Sequence, residues 1–191
     1  MIRQHAVRRF HVATEYPDLA LPAGVVRSEV LEALRGASEQ LRKAGIRHAL
    51  CGGLAVGAWG YPRATKDVNF LVGSEAFVVH GGGFVTLAQG VPITFKGVPV
   101  DALSASDDES FLAEAPGRAV VRQGVPILPL EALVYMKLKS PRERDRVDVI
   151  ELVKAGIAPG PVAEWLSRHA PEIARRFEAA REQARRESEA G

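Results

Sequence analysis

Asp67, Asn69 and Asp101 have the side-chain types and the placement that could hold a divalent cation. Phosphoryl and nucleotidyl transfer demand little covalent chemistry from a protein, but they need converging carboxylates that fix cations against the phosphates and the attacking oxygen. Asp67 and Asn69 stand one residue apart in an alternating, strand-like segment, so they share a face. Asp101 lies in a second extended segment, and the two carboxylates meet if those strands are neighbours at one end of a sheet. Asn69 can offer an amide oxygen to the same ion, but it brings no negative charge, so metal affinity should fall. Gly52 and Gly53 open a short helical stretch directly after a strand. There the backbone can approach a phosphate, and free N–H groups favour an anion. The competing reading of the pair is close packing of a helix on a sheet.

The elements that must position these groups follow from periodicity. Val30, Leu31, Leu34, Ala37 and Leu41 have helical spacing over 28–44, with Ser28 as a cap and Gly45 as a stop. Ile46 to Cys51 reads as a strand, 52–60 as a small-residue helix, and 65–72 as a strand with Asp67, Asn69 and Leu71 on one face. Short β-like stretches over 84–87 and 91–95 lead to a Lys96-Gly97 turn and a strand over 98–103, in which Pro99 points to an edge position or a bulge. Beyond Pro126 the pattern turns helical: 130–139, 141–155, 161–169, and from Pro171 onward, with Ser140 and Glu143 offering a capping box around Pro141. On the first of these helices Lys137 falls on the stripe of Leu130, Leu133 and Val134, where a lysine needs an anion. Asp145 and Asp148 lie one turn apart near Val149 and Leu152 and need partners in turn. The plainer alternative is that Lys137 snorkels to water and the aspartates form surface pairs with neighbouring arginines. For Asp67 and Asp101 the plainer alternatives are an edge-strand charge and a turn residue.

Taken together, Gly52-Gly53 and the run Arg63-Ala64-Thr65-Lys66-Asp67-Val68-Asn69-Phe70-Leu71-Val72 resemble the signature of polymerase-beta-like nucleotidyltransferases. That signature is a glycine-led helix start followed by a strand with two aspartates one residue apart. Gly97-Val98-Pro99-Val100-Asp101-Ala102-Leu103 is similar to the strand carrying the third carboxylate. The later segments Leu130 to Lys137 and Arg142 to Leu152 resemble a helical motif of the abortive-infection, toxin-like branch, in which a lysine and an Arg/Asp helix line the nucleotide pocket. The likeness spans about residues 45–155.

The resemblance implies an α+β (α/β-like) fold: a mixed sheet of nucleotidyltransferase type flanked by helices, with a C-terminal helical segment. Periodicity divides the chain into an irregular arm without a clear period over 1–26, a core over 27–128 and a helical segment over 129–191 packing on that core. The resemblance implies a metal-dependent transfer of a nucleoside monophosphate from a nucleoside triphosphate to an acceptor hydroxyl on RNA, protein or a small molecule. Asp67, Asn69 and Asp101 would hold magnesium or manganese, and Gly52, Gly53, Lys137, Asp145 and Asp148 would serve the nucleotide. Arg63 and Thr65 rank second for phosphate contacts. Membership in a toxin–antitoxin branch would add a cognate partner protein. Because Asn69 replaces the family's aspartate, a catalytically degenerate module that binds nucleotide or a partner stays open beside the enzyme.

The remaining composition narrows the field. With 191 residues, 47% hydrophobic and 25% charged, the chain has the balance of one globular core. No stretch approaches the roughly 18 apolar residues of a membrane span, and the N-terminus lacks a signal-peptide core, which places the protein in the cytoplasm without a membrane partner. A formal charge of +2 does not by itself argue for nucleic acid. The Arg/Glu-rich tail, with Glu172 and Arg176 or Glu182 and Arg186 at helical spacing, reads as a solvated helix rather than an RNA-binding arm. Cys51, the single cysteine, excludes an internal disulfide, and no zinc spacing or Gly-x-x-x-x-Gly-Lys loop is present. His48, His80 and His169 lack metal spacing or a nucleophile partner.

Overall fold

A computed structural model describes residues 15–190. In chain order the elements are α1 (Ala20–Ala23), α2 (Ser28–Lys43), β1 (His48–Cys51), α3 (Gly52–Ala58), β2 (Val68–Val72), β3 (Phe77–Val79), β4 (Val85–Leu87), β5 (Thr94–Phe95) and β6 (Val98–Leu103). They continue with α4 (Ser110–Ala113), β7 (Val120–Arg122), β8 (Val125–Ile127), α5 (Leu130–Lys139), α6 (Glu143–Lys154), α7 (Pro159–His169) and α8 (Pro171–Glu189). Six strands form a mixed sheet in the order β5-β6-β2-β1-β8-β7, while β3 and β4 pair separately as a hairpin. Strand β2 is antiparallel to β1 and parallel to β6, and β1 is parallel to β8. Mixed α and β with helices flanking a mixed sheet is the fold class expected.

Alternation assigns the helices to the two faces. His48 and Leu50 look toward α2: the Ser38 hydroxyl lies 2.8 Å from His48 Nε2, and Phe70, opposite Leu50 in register, packs edge-on against the His48 ring. His48 Nδ1 donates to the Ile46 carbonyl at 2.9 Å, and burial lowers the ring's pKa, so the ring is neutral near pH 7 and Nε2 accepts from Ser38. Ala49, Cys51, Asn69 and Leu71 therefore look the other way, toward α3 and α5. Helix α2 buries Val30, Ala33, Leu34, Ala37 and Leu41, each larger aliphatic worth about 1.5–3 kcal/mol. It stops at Gly45, which has a φ of +72°, and the Ile46 amide bonds back to the Leu41 carbonyl. The expected Ser28 cap is not used: the helix starts after extended Arg27 with no side-chain cap.

The arm expected over 1–26 lies partly outside the described residues. Its described part packs on the core, burying Leu19, Pro22 and Val26, with the Asp18 amide bonded to the Ala58 carbonyl. Pro99 is not at the sheet edge. The Val100 amide bonds to the Ile93 carbonyl on the β5 side, so the Pro99 nitrogen faces β2 before that ladder begins at Val68. The strand expected from Thr65 begins only at Val68, which leaves Thr65, Lys66 and Asp67 as a loop at its mouth. Strands β3, β7 and β8 and helix α4 were not foreseen.

The C-terminal helices extend the same core. Leu133, Val134, Val149, Leu152, Leu166 and Phe177 are buried in one cluster with the sheet residues. The Trp59 indole donates to the Leu128 carbonyl at 3.0 Å, tying the end of α3 to the start of α5. The capping box around Pro141 does not form. Arg142 caps α6 without a side-chain bond, and Glu143 turns to Arg146. Glu182 and Arg186 pair at 2.8 Å as their spacing suggested, but Arg176 donates to the Leu138 carbonyl instead of joining Glu172. Buried Glu109 accepts from the Tyr135 hydroxyl, from Lys139 at 2.7 Å and from the Ser106 amide at 2.9 Å. No described helix is long and apolar enough to cross a membrane.

Candidate functional site

A cleft of about 480 Å³ opens where the β1–α3 junction, the loop entering β2 and helices α5 and α6 meet, a size typical of small-molecule sites. Two glycines set its wall. Gly52 has a φ of +65°, and a methyl group there would stand 3.0 Å from Cβ and Nδ2 of Asn69. A methyl group on Gly53 would meet Arg63 Nη1 at 3.1 Å and Thr65 Oγ1 at 3.2 Å. Both glycines line the cleft, and their bareness lets Arg63, Thr65 and Asn69 lie against the first turn of α3.

Asp67 sits at the mouth of β2, and Thr65 donates its hydroxyl to Oδ1 at 2.6 Å. Burial pushes this carboxyl up, but the Thr65 hydroxyl and the Asn69 amide, with its own backbone N–H and the Arg63 charge, outweigh burial and hold it below 3.8. It is therefore ionised near neutral pH. Asp101 pairs in register with Asn69 across the parallel β2–β6 ladder, so their side chains share a face. Asp101 is exposed, at the rim beside Asn69 rather than on the lining of the cleft. Among the described residues no three His, Cys, Asp or Glu side chains converge on a point that could hold a metal ion. The donor set is two carboxylates flanking an amide, which fits one cation and does not fit a pair sharing anionic ligands.

The floor of the cleft is a four-member charge network. Arg63 forks onto Asp148, Nε to Oδ1 at 2.6 Å and Nη2 to Oδ2 at 2.7 Å. Lys137 Nζ reaches Asp148 Oδ2 at 2.8 Å and Asp145 Oδ1 at 2.5 Å. The side chain of Lys137 is 9% exposed and that of Asp148 1% exposed, so the picture of a lysine snorkelling to water beside surface aspartates is overturned. Burial acts to raise the Asp145 pKa, yet Lys137 and Ser140 hydrogen bonds bring it below 3.8. Two cations face two carboxylates, and the network is balanced within itself.

The sequence reading places Arg142 and Arg144 within the Arg/Asp helix of the resemblance and Lys66 within its signature run, but gives none of the three a site role of its own. All three line the cleft. Arg144 Nη2 bonds the Ala64 carbonyl at 3.3 Å, bridging α6 to the loop before β2. None of the three has a carboxylate within ion-pair distance among the described residues. The available signal was the excess of Arg over Asp in Arg142-Glu143-Arg144-Asp145-Arg146, once Glu143 is assigned to Arg146 and Asp145 to Lys137. Cys51 lies behind the glycines, where burial lifts its thiol to about 12, so it is not a nucleophile.

No protein-family model matches the chain, and no curated protein matches it. Among solved structures it is similar to an antigenic nucleotidyltransferase-like protein from Paracoccidioides brasiliensis, at 14% sequence identity and a TM-score of 0.45, over 81% of this chain and 94% of that one.

Proposed function

We propose that the cleft accepts a nucleoside triphosphate and transfers its nucleoside monophosphate to an acceptor hydroxyl, with pyrophosphate leaving. The observation that carries this reading is the register of Asn69 beside Asp101 on one sheet face, with Asp67 in the loop entering that strand, next to a cleft rich in cationic side chains. Asp67 and Asp101 would hold magnesium or manganese, with the Asn69 amide oxygen as an uncharged assistant. A cation bound there supplies charge neutralisation to the reacting phosphate. Thr65 and Asn69 keep Asp67 ionised and aimed. Gly52 and Gly53 leave room for phosphate against the first turn of α3, and Arg63 and Lys137 present positive charge from the floor, tempered by Asp148 and Asp145. The test incubates the protein with labelled triphosphates, either metal and RNA, protein or small-molecule acceptors. Label transfer abolished by Asp67→Ala supports the enzyme, and absence of transfer with every metal and acceptor removes it.

A second reading, a module that binds nucleotide or a cognate partner protein without transfer, is favoured by one observation: Asn69 stands beside Asp101 where a second carboxylate would, and brings no negative charge to a cation. Metal-dependent transfer gained only in Asn69→Asp would select this reading. Transfer by the unaltered chain would reject it.

A further inference from the structure

We propose that the cleft binds the phosphates of a nucleoside di- or triphosphate without a divalent cation, through Lys66, Arg142 and Arg144, and that a metal ion serves transfer alone. This rests on the nucleotide reading above and adds to it a mode of recognition.

The lining carries five cations, Arg63, Lys66, Lys137, Arg142 and Arg144, and two carboxylates, Asp67 and Asp145. Arg63 and Lys137 are spoken for by Asp148 and Asp145 at 2.5 to 2.8 Å. What remains is three exposed cations without an acidic partner among the described residues, facing one carboxylate. Such a surplus attracts an anion and does not concentrate a divalent cation.

Asp67 points the same way. A carboxylate pair at this strand position repels itself and needs a cation before a phosphate can approach. Here the pair is Asp67 and Asn69, and the single charge already accepts the Thr65 hydroxyl at 2.6 Å. Asp67 in the lining and Asp101 at the rim are outnumbered by Lys66, Arg142 and Arg144, so a phosphate can enter without a metal ion to screen it. Arg144 is held over the opening by its bond to the Ala64 carbonyl, which places its guanidinium within reach of the loop bearing Lys66. The ordering cost of that long side chain is then partly met before the ligand arrives.

Calorimetric titration of the full chain with ATP, and separately with inorganic pyrophosphate, in EDTA and again in excess magnesium tests the proposal. Affinity in EDTA should lie within about threefold of that in magnesium, because the protein cations act as charge-assisted donors by themselves. Lys66→Ala, Arg142→Ala and Arg144→Ala should each weaken binding in EDTA by roughly five- to tenfold, the scale of one partly exposed charged contact. These residues are exposed, and unchanged melting temperatures would show that the variants are folded. Asn69→Asp should lose about tenfold in EDTA and recover in magnesium, since it restores the repelling pair. Binding that is absent in EDTA and present in magnesium overturns the proposal while leaving nucleotidyl transfer standing. Binding in EDTA with no transfer under any metal keeps the metal-free recognition of phosphates and removes the enzyme, and with it the role given to the metal. No binding in either buffer removes the proposal.

Discussion

Replacing Asp148 with alanine removes the one carboxylate that touches both cations of the cleft floor. Arg63 loses a two-pronged partner at 2.6 and 2.7 Å, and Lys137 loses its contact at 2.8 Å. Removing one member of a fully buried ion pair costs about 3–5 kcal/mol, because the other charge stays behind without compensation. Two features reduce the figure here: Arg63 keeps 16% of its side chain exposed, and Lys137 retains Asp145 at 2.5 Å. We therefore expect a loss of about 2–3 kcal/mol, or a fall in Tm of roughly 4–12 °C for a chain of this size. Urea unfolding followed by circular dichroism should show a lower midpoint at unchanged slope. In the cycle with Arg63→Ala, the double variant should lose less than the sum of the singles, since Arg63→Ala removes the stranded charge. A loss under about 1 kcal/mol, the value of a solvated surface pair, would refute the claim that this network is an ordered floor.

Gly52→Ala forces a side chain into a left-handed backbone and against Asn69 at 3.0 Å, so it should cost about 1–3 kcal/mol in the same assay and weaken nucleotide titration; unchanged stability and binding would contradict it. Glu109, held down to about 2 from 4.5 against burial by Lys139 and Tyr135, has a depressed folded pKa. Its contribution to stability is therefore full above 4.5 and disappears as pH falls toward 2, and Glu109→Gln should flatten that limb of a stability–pH profile. His48 is neutral in the fold, and burial keeps its pKa below 6.5 despite the bond to Ile46. The unfolded chain takes up a proton first, so stability should decline as pH drops through 6.5; a profile that is flat there and equal to that of His48→Gln would argue against the assigned tautomer.

How much of this was legible beforehand depended on the length of each signal. Helix α2 and strands β1 and β2 were readable because several apolar residues repeat at one period, and burying them on both sheet faces is what the sequence demands. The Lys96-Gly97 turn was readable as two residues between β-like runs, and both adopt positive φ, 48° and 81°. Gln123-Gly124 has the same geometry, at 50° and 78°, and joins β7 to β8, yet it escaped notice. The strands it joins are three residues each, one contains Pro126, and so few residues establish no period. The site divides the same way. Asp67 and Asn69 could be placed together from alternation, and Asp101 beside them if the strands were neighbours, whereas the position of Asp101 at the rim rather than on the cleft lining could not be read. The partners of Lys137 were guessed from helical spacing, but only the angle between α5 and α6 decides that Asp145 and Asp148, rather than Glu143, reach it.

The two halves of the cleft solve different electrostatic problems, and this is why neither half suffices. The sheet side, from Gly52 to Asp101, supplies Asp67, Asp101 and bare backbone, with Arg63 committed to Asp148 and Lys66 its one cation without an acidic partner among the described residues. The helical side, from Lys137 to Asp145, supplies cations, but a buried lysine in an apolar stripe is tolerable only with its aspartates beside it. Pairing Lys137 and Arg63 internally fixes the floor and leaves the exposed arginines at the start of α6 to meet a ligand. Among the described residues, Arg144, reaching across to Ala64, is the one of those arginines bonded to the opposite wall. On the proposed reading, the charge that fixes the architecture and the charge that would recognise an anion are carried by different residues, so the floor would stay folded whether or not the cleft is filled.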